Sequence, residues 1–389
     1  MRIAIDARYV ADHFPGIGRY LYNLLIALAG LEHPHTLIVL YNPALANTRH
    51  PIAALARFPA VELVATGARP FTPGEQVAIP RLLRRLGAGL YHAPYYVRPY
   101  AGLPCPSVTT LYDIIPRLFP AAVSLPARLL FDLLTRLAIR ASRRIIALSA
   151  CARADLSAAY GVPIGQIDVT PLAADPRFHP QPPDVIAAVR AKYSLPERYI
   201  LSLASNKPHK NLPALVEAFA LAGVDAREPT RGHHRPAVAA PSSTHLVIAG
   251  HWDPRYPQAR QIVAARGLQE SVRFVPNIAE ADLPALYSGA TVFAFLSLYE
   301  GFGLPPLEAM ACGAPVLCSS TSSLPEVVGE AALLVDPTSV EGIAAGLERL
   351  LGDGDLRATL SAAGQRRAAA FSWERTARAT LAVYERAVH

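Results

Sequence analysis

Short β-branched and apolar runs alternate with runs of helical periodicity along nearly the whole chain of 389 residues. This alternation favours βα units and parallel sheets, because a parallel neighbour is reached only through a crossover connection. The strand-like runs form two series. The first comprises residues 2–5, 36–41, 61–65, 107–111, 144–148 and 167–170, and the second residues 199–204, 245–249, 272–275, 291–296, 315–318 and 332–335.

A proline-rich segment separates the two series. Residues 175–183 can form neither the centre of a sheet nor a helix, and we interpret them as a linker. The chain is also too long for one ordinary core. We therefore predict an α/β protein of two doubly wound, Rossmann-like domains facing each other across a cleft, with ligands at the carboxyl ends of the strands. The first domain is assigned residues 1–178 and the second residues 179–372.

The charge of the chain restricts its partners. The formal net charge is +7 and the isoelectric point is near 9.3, which favours an anionic partner such as a nucleotide, a polyphosphate or a membrane surface. The charge is diffuse and no zinc-finger or RNA-binding signature occurs, so nucleic acid is not predicted. Residues 128–144 are an exception, because five arginines alternate there with leucines. They predict an amphipathic basic helix, either packed on a sheet with its arginines in water or in peripheral contact with a membrane.

Cysteine usage and apolar runs indicate the compartment. The four cysteines form no CxxC pair or Cys/His cluster, so we expect reduced thiols and no zinc. Residues 1–6 run directly into the fold without the charged start and apolar h-region of a signal peptide, and charge or proline interrupts every long apolar stretch. We predict a cytoplasmic protein whose membrane contact, if it has any, is peripheral at the inner face. Residues 225–244 are predicted to form an extended surface loop.

Two glutamates flank a glycine-rich turn in the second series. Glu300 follows the strand-like residues 291–296, and Glu308 lies beyond prolines 305–306, which suit the first turn of a helix. Backbone N–H groups at such a turn, with the helix dipole behind them, suit a diphosphate. Glu300 is expected just before this cradle and Glu308 about two turns into the helix, within reach of a sugar and a ribose. The segment alone is also compatible with a glycine-rich loop carrying two solvated acids.

Several segments, in order, resemble the retaining glycosyltransferases with the GT-B fold, in particular family 4 of that class. They are the Glu, seven residues, Glu spacing of residues 300–308, the opening residues 1–8 with glycines in 16–20, the segment 205–212, the segment 323–329 and the closing residues 371–373. The resemblance covers nearly the whole chain. It implies that a last helix, residues 373–389, completes the first domain.

The resemblance implies a nucleoside diphosphate sugar as co-substrate, with no other cofactor and no metal. Lys210 and the amides of residues 303–304 would stabilise the leaving diphosphate, and Glu308 would bind the ribose. Predicted donor-binding residues are Gly16, Gly18, Ser205, Asn206, Lys210, Val275, Asn277, Ile278, Gly301, Phe302, Gly303, Leu304 and Glu308.

Three residues are predicted to be catalytic. Glu300 would hold the donor sugar and support positive charge near its anomeric carbon. His92 and Asp113 follow short strand patterns with polar residues that could point into the cleft. His92 is either an imidazole of the site or a core or loop histidine, and Asp113 either binds hydroxyls or caps a turn. The family often carries histidine where this chain has Tyr112, so no histidine role transfers there.

The resemblance implies retaining transfer of a hexose to a hydroxyl acceptor in glycan or glycolipid biosynthesis. Members of the resembled family that share the Gly-Ile-Gly-Arg-Tyr sequence of residues 16–20 imply mannose from GDP-mannose as the donor. Other open readings are a sugar phosphorylase, a nucleotide-sugar epimerase and a non-catalytic nucleotide-binding protein. The oligomeric state is not predicted.

Overall fold

The computed structural model describes residues 1–223 and 244–389. Apart from Thr244, the predicted loop 225–244 lies outside the described residues. The described chain forms two compact units, of which the first is Met1–Ala173 together with Phe371–His389 and the second is Ala174–Ala370. Each is an α/β unit built on one parallel sheet.

The first unit contains a seven-stranded parallel sheet. Its elements are β1 (Arg2–Asp6), α1 (Pro15–Gly30), β2 (Thr36–Tyr41), β3 (Val61–Ala65), α2 (Glu75–Arg85), β4 (Leu90–Ala93), β5 (Ser107–Thr110), α3 (Ile115–Leu118), α4 (Leu125–Arg140), β6 (Arg144–Ala147), α5 (Ala150–Tyr160) and β7 (Ile167–Val169). The strand order is β3-β2-β1-β4-β5-β6-β7.

The second unit contains a six-stranded parallel sheet in the order β10-β9-β8-β11-β12-β13. Its elements are α6 (Pro183–Lys192), β8 (Tyr199–Leu203), α7 (Leu212–Leu221), β9 (His245–Ala249), α8 (Gln258–Ala265), β10 (Val272–Val275), α9 (Leu283–Ser288), β11 (Val292–Phe295), α10 (Leu304–Ala311), β12 (Val316–Ser319), α11 (Leu324–Val328), β13 (Leu333–Val335), α12 (Val340–Gly352) and α13 (Gly354–Ala369).

Both sheets have a strand-order reversal beside their first strand. In the first unit the chain proceeds outward from β1 to β3 and then returns to place β4 on the other side of β1. The second unit repeats this order, with β11 on the other side of β8. Crossovers on the two sides of such a point cover opposite faces of the sheet, which leaves a crevice at the carboxyl ends of the two central strands. The candidate site residues of each unit are expected at these two points.

Burial on both faces of the sheet explains why the strands could be predicted from the sequence. In β1 the side chains of Ile3, Ala4 and Ile5 are all buried, as the continuous apolar run of a covered parallel strand requires. The predicted strands agree with the structure to within one residue at each end, but β4 is missing from the predicted series. Helix α1 begins at Pro15, because proline suits the first helical position.

The last helix, α14 (Trp373–Val388), belongs to the first unit. Tyr384 is fully buried, and its hydroxyl lies 2.7 Å from Nδ1 of His92 in β4. The hydroxyl of Thr376 donates to the carbonyl oxygen of Pro171 at 2.6 Å. Side chains separated by almost 300 residues in the sequence therefore share one core. Among the described residues, no helix combines the length and the apolar character that a membrane span requires.

We expect Tyr384→Phe to destabilise the first unit by about 1–3 kcal/mol, because the buried imidazole of His92 would lose a hydrogen-bond partner. Urea unfolding in a Trp252→Phe background measures this directly, since Trp373 in α14 then reports on the first unit. Tyr41→Phe, at the half-buried end of β2, is the matched control. Equal unfolding midpoints for Tyr384→Phe and the control would contradict the assigned contact.

Candidate active site

An ion pair lies at the strand-order reversal of the second unit. After β8 the chain forms a short 3₁₀ turn, Pro208–Lys210, and Asn211 ends it with a left-handed φ of 56° before α7 begins. This turn directs Lys210 toward the loop after β11. Its Nζ lies 2.5 Å from Oε1 of Glu300, and the two side chains are only 18% and 12% exposed.

Backbone contacts hold the two loops of this ion pair together. The amide of Leu298 donates to the carbonyl oxygen of His209 at 2.7 Å. The Lys210 ammonium also lies 5.5 Å from the ring centroid of Phe295, the last residue of β11. Because β8 and β11 are adjacent parallel strands, the loops that leave them meet at the same edge. The ion pair is therefore positioned by the sheet itself.

The loop after β12 is hydrogen-bonded to the loop after β11 that carries Glu300. The amide of Glu300 donates to the hydroxyl of Ser322 at 3.0 Å, and the hydroxyl of Ser323 donates to the carbonyl oxygen of Phe302 at 2.7 Å. The hydroxyl of Thr321 donates to the carbonyl oxygen of Leu298 at 3.2 Å. Sequence reasoning missed Thr321 and Ser322. The signal that could have identified them is the run of serine and threonine at residues 319–323, directly after the predicted strand 315–318.

Gly303 gives the chain its sharp entry into α10. Its φ of 108° is a conformation that side chains rarely adopt, and an added Cβ would lie 2.6 Å from Cδ2 of Leu324. The helix that follows has Pro305 and Pro306 in its first turn, and neither has an N–H group. Two of the four amide donors that a helix start usually offers are thus missing. An anion here would depend on the remaining amides and on the charge of Lys210.

Glu308 lies one turn into α10, whereas the sequence predicted about two turns, because the helix begins only four residues before it, at Leu304. The residue is buried, and its Oε2 accepts a hydrogen bond from the hydroxyl of Tyr287 in α9 at 3.1 Å. Tyr287 therefore fixes the orientation of the carboxylate.

Two further predicted donor residues of this unit, Ser205 and Asn206, follow β8. Asn206 is occupied by structure, because its amide group donates to the carbonyl oxygens of Asp253 and Tyr256, both at 2.7 Å, and accepts from the Asp253 amide at 2.6 Å. This placement does not support a direct contact with the donor. Half-buried Ser205 precedes it.

Val275, Asn277 and Ile278 follow β10, two strands away from β8 at the same sheet edge. Asn277 is exposed and has a left-handed φ of 59°.

His209 stands beside Lys210, at a position where the resembled family often has arginine. Burial, and next the charge of Lys210, lower the pKa of His209 to about 4. The imidazole is therefore neutral near pH 7, and Lys210 is not reinforced by a second cation at that position.

His92 in the first unit is fully buried. Its Nδ1 lies 2.7 Å from the hydroxyl of Tyr384 and its Nε2 lies 2.9 Å from the hydroxyl of Thr110. Burial, and next the charge of Arg98, lower the pKa of His92 to about 3. Both ring nitrogens are engaged inside the core, so this placement does not support the predicted catalytic contact. It indicates a structural role.

Asp113 lies at the carboxyl edge of the first sheet and shares a cavity with aromatic side chains. Its Oδ1 accepts from the amide of Ile115 at the start of α3, at 2.9 Å. The cavity is lined by Tyr95, Tyr96, Leu111, Tyr112, Asp113, Pro116, Phe131 and Thr135. Tyr112, which stands where the resembled family often has histidine, is half-buried, but its hydroxyl is buried and has no hydrogen-bond partner among residues 1–223 and 244–389.

Gly16 and Gly18, the two glycines of the first unit that are predicted to bind the donor, lie in the first turn of α1. Gly16 is exposed, whereas Gly18 is buried and its amide donates to the carbonyl oxygen of Phe14 at 2.7 Å. The Gly18 amide is therefore used by the helix, and of this pair only Gly16 is accessible.

No cluster of three or more His, Cys, Asp or Glu side chains able to hold a metal occurs in the part of the chain that the structure describes. The chain does contain one Asp-x-Asp pair, Asp353 and Asp355, at the start of α13. Asp353 caps this helix by accepting from the amide of Leu356 at 2.8 Å. The side chain of Asp353 therefore serves as a helix cap.

Comparison with known families agrees with this architecture. Residues 187–367 match the family Glycosyl transferases group 1, and residues 15–178 match Glycosyltransferase Family 4. The O-antigen chain mannosyltransferase B of Escherichia coli is 31% identical over 303 residues, which are 76% of this chain and 74% of that protein. The chain belongs to the group 1 glycosyltransferases and is a glycosyltransferase with the GT-B fold.

Two further similarities extend this comparison. The serotype-specific mannosyltransferase WbdA of Escherichia coli is 36% identical over 205 residues, which are 52% of this chain but 23% of that longer protein. The crystal structure of Anabaena Alr3699/HepE in complex with UDP and glucose superposes with a TM-score of 0.73 at 19% identity, covering 99% of this chain and 100% of that one. At that identity the structural likeness establishes the fold alone.

Proposed function

We propose that this glycosyltransferase is retaining and metal-independent, and that it transfers mannose from GDP-mannose to a hydroxyl group of a glycan or glycolipid acceptor. The observation that carries the proposal is the contact between Lys210 and Glu300 at the strand-order reversal of the second unit. Glycosyl transfer builds negative charge on the leaving diphosphate and positive charge on the sugar. A site for it needs one group of each sign, and this pair supplies both.

The donor diphosphate would take the place of Glu300 as the partner of Lys210. The diphosphate as a whole carries more negative charge than one carboxylate, and the amide of Leu304 at the start of α10 can donate to it as well. The absence of N–H groups at Pro305 and Pro306 increases the dependence on Lys210. Once released, the Glu300 carboxylate is available to the hydroxyls and the anomeric carbon of the donor sugar.

The reaction can then proceed on one face of the sugar. The bond between the anomeric carbon and the phosphate oxygen breaks, and its electron pair passes to that oxygen. The acceptor oxygen forms the new bond on the same face and gives its proton to the leaving phosphate, so the configuration is retained. Lys210 stabilises the charge on the phosphate, and Glu300 stabilises the positive charge that develops on the sugar. In this scheme a lysine performs the electrostatic role that a metal ion has in other transferases.

The mannosyl donor is supported by relatives named as mannosyltransferases, at 31% and 36% identity. It is also supported by the Gly-Ile-Gly-Arg-Tyr segment at residues 16–20, which is shared with mannosyltransferases of the resembled family. The choice of GDP rests on the same resemblance. The fold does not discriminate the base, since the similar Anabaena structure holds UDP.

The aromatic cavity of the first unit is the best candidate for the acceptor. The rings of Tyr95 and Phe131 offer apolar surface to the CH face of a sugar, and the buried Tyr112 hydroxyl has a hydrogen bond to offer. Asp113 adds a carboxylate acceptor at the edge of the cavity. A ring with several hydroxyls fits this lining better than a purely apolar chain.

We expect GDP-mannose to be consumed in the presence of a mannose-containing acceptor and of excess EDTA, with the product keeping the α configuration of the donor. Proton NMR of the new linkage identifies the configuration. A thermal-shift panel of nucleotide sugars selects the donor beforehand, because a ligand at a hundred times its dissociation constant stabilises the protein by about 2.7 kcal/mol. A β-linked product would reject retention, and loss of activity in EDTA would reject metal independence. Turnover only with inorganic phosphate and a disaccharide would identify a phosphorylase.

Lys210→Ala should lower turnover by roughly 10²–10³-fold, because it removes a preorganised charge at the leaving group. Lys207→Ala is the matched control, since Lys207 belongs to the same turn but is exposed. Steady-state kinetics and circular dichroism on both variants make the comparison. Near wild-type turnover of a folded Lys210→Ala protein would remove Lys210 from the mechanism.

The two glutamates should separate by kinetic parameter. Glu300→Gln should lower kcat and leave donor binding nearly intact, because its interaction with the sugar strengthens in the transition state. Glu308→Gln should raise the donor KM more than it lowers kcat, because a ribose contact is made equally before and during bond breaking. If both variants lose only binding, Glu300 is a second donor clamp. If neither changes, the signature has no role in the reaction.

A further inference from the structure

Helix α4 of the first unit has an apolar side that the protein does not cover. Its inner side carries Phe131, Thr135 and Ala138, all buried. Leu125, Leu129 and Leu133 form a row at intervals of four residues, and they are 58%, 57% and 54% exposed. The helix is thus apolar on two sides, of which only one contacts the core.

The exposed leucines are concentrated rather than scattered. Leu130 is 54% exposed beside that row, and Leu118 of the neighbouring helix α3 is 45% exposed. The sequence allowed a helix packed on a sheet with its arginines in water. The structure instead places leucines in water as well. A contiguous exposed apolar surface usually marks an interaction site.

The same region is strongly basic. Residues 115–144 contain six arginines and a single acidic residue, Asp132. Asp132 is already engaged, because it pairs with Arg117 at 3.2 Å and accepts from the hydroxyl of Tyr160 at 3.0 Å. Arg136 and Arg140 are exposed on α4 itself. Arg144 is also engaged, because it pairs with Asp168 at 2.8 Å. The leucine surface is therefore bordered by an excess of positive charge.

We propose that the outer side of α4, defined by Leu125, Leu129, Leu130 and Leu133 with Arg136 and Arg140, docks on an anionic lipid bilayer. The leucines would enter the boundary between headgroups and acyl chains, and the arginines would pair with headgroup phosphates. Charge complementarity favours this occupant over a second copy of the chain, because two such surfaces would bring like charges together. The docking is peripheral, since α4 has 16 residues and carries charges along its length.

Vesicle sedimentation with the full chain tests this surface. Wild type should bind vesicles containing phosphatidylglycerol, bind phosphatidylcholine vesicles far more weakly, and dissociate as salt rises. Leu129→Ser with Leu133→Ser should weaken binding by at least about tenfold, because the inserted apolar area is lost. Arg136→Gln with Arg140→Gln should weaken it roughly 30-fold, about fivefold for each cation near an anionic surface.

Matched controls distinguish binding through this surface from nonspecific binding to vesicles. Leu221→Ser removes a leucine that is equally exposed, at 56%, in the second unit. Arg81→Gln with Arg85→Gln removes the same charge from exposed positions of α2. Both controls should bind vesicles like wild type, and thermal unfolding should show all variants folded. Absence of wild-type binding at low salt, or equal binding by the α4 variants and the controls, would overturn the proposal. So would a dimer in analytical ultracentrifugation that the leucine variants dissociate, since the surface would then join two copies.

Discussion

The position of the candidate site depends on the reversal of strand order in a parallel sheet. A strand that runs parallel to its neighbour must be entered through a crossover, and the crossovers on the two sides of β8 cover opposite faces. The loops that leave β8 and β11 are therefore drawn together at one edge, while the helices beside them diverge. Lys210 and Glu300, ninety residues apart in the sequence, meet there at 2.5 Å. Without the reversal these two loops would not be neighbours.

The chemistry of the site follows from what the second unit supplies and omits at that edge. Gly303 allows the turn that α10 needs, and the two prolines after it remove amide donors that an anion would otherwise use. His209, whose pKa is lowered to about 4, adds no charge near pH 7. In the proposed reaction, Lys210, which a neighbouring carboxylate holds in position, is the main positive charge that this edge offers to a leaving phosphate.

Much of the fold could be predicted from the sequence, because strands buried on both faces appear as continuous apolar runs and α14 has clear helical periodicity. Side-chain partners could not be predicted in the same way. His92 resembled a site histidine because its partner, Tyr384, is 292 residues away. Asn206 resembled a donor ligand because the carbonyl groups it binds belong to a distant loop. Periodicity also showed that α4 is amphipathic, but only tertiary packing decides which of its apolar sides is covered.

The placement of α14 has a consequence for how the protein is made. The first unit is discontinuous in the sequence, since residues 174–370 lie between its body and its last helix. The core around His92 therefore cannot be completed before Tyr384 is present, and the ribosome adds Tyr384 after the whole second unit has been synthesised. The second unit, by contrast, is one continuous segment and can fold as soon as it emerges. The first unit can therefore be completed only after the second has been synthesised, and the core that α14 covers stays uncovered until then.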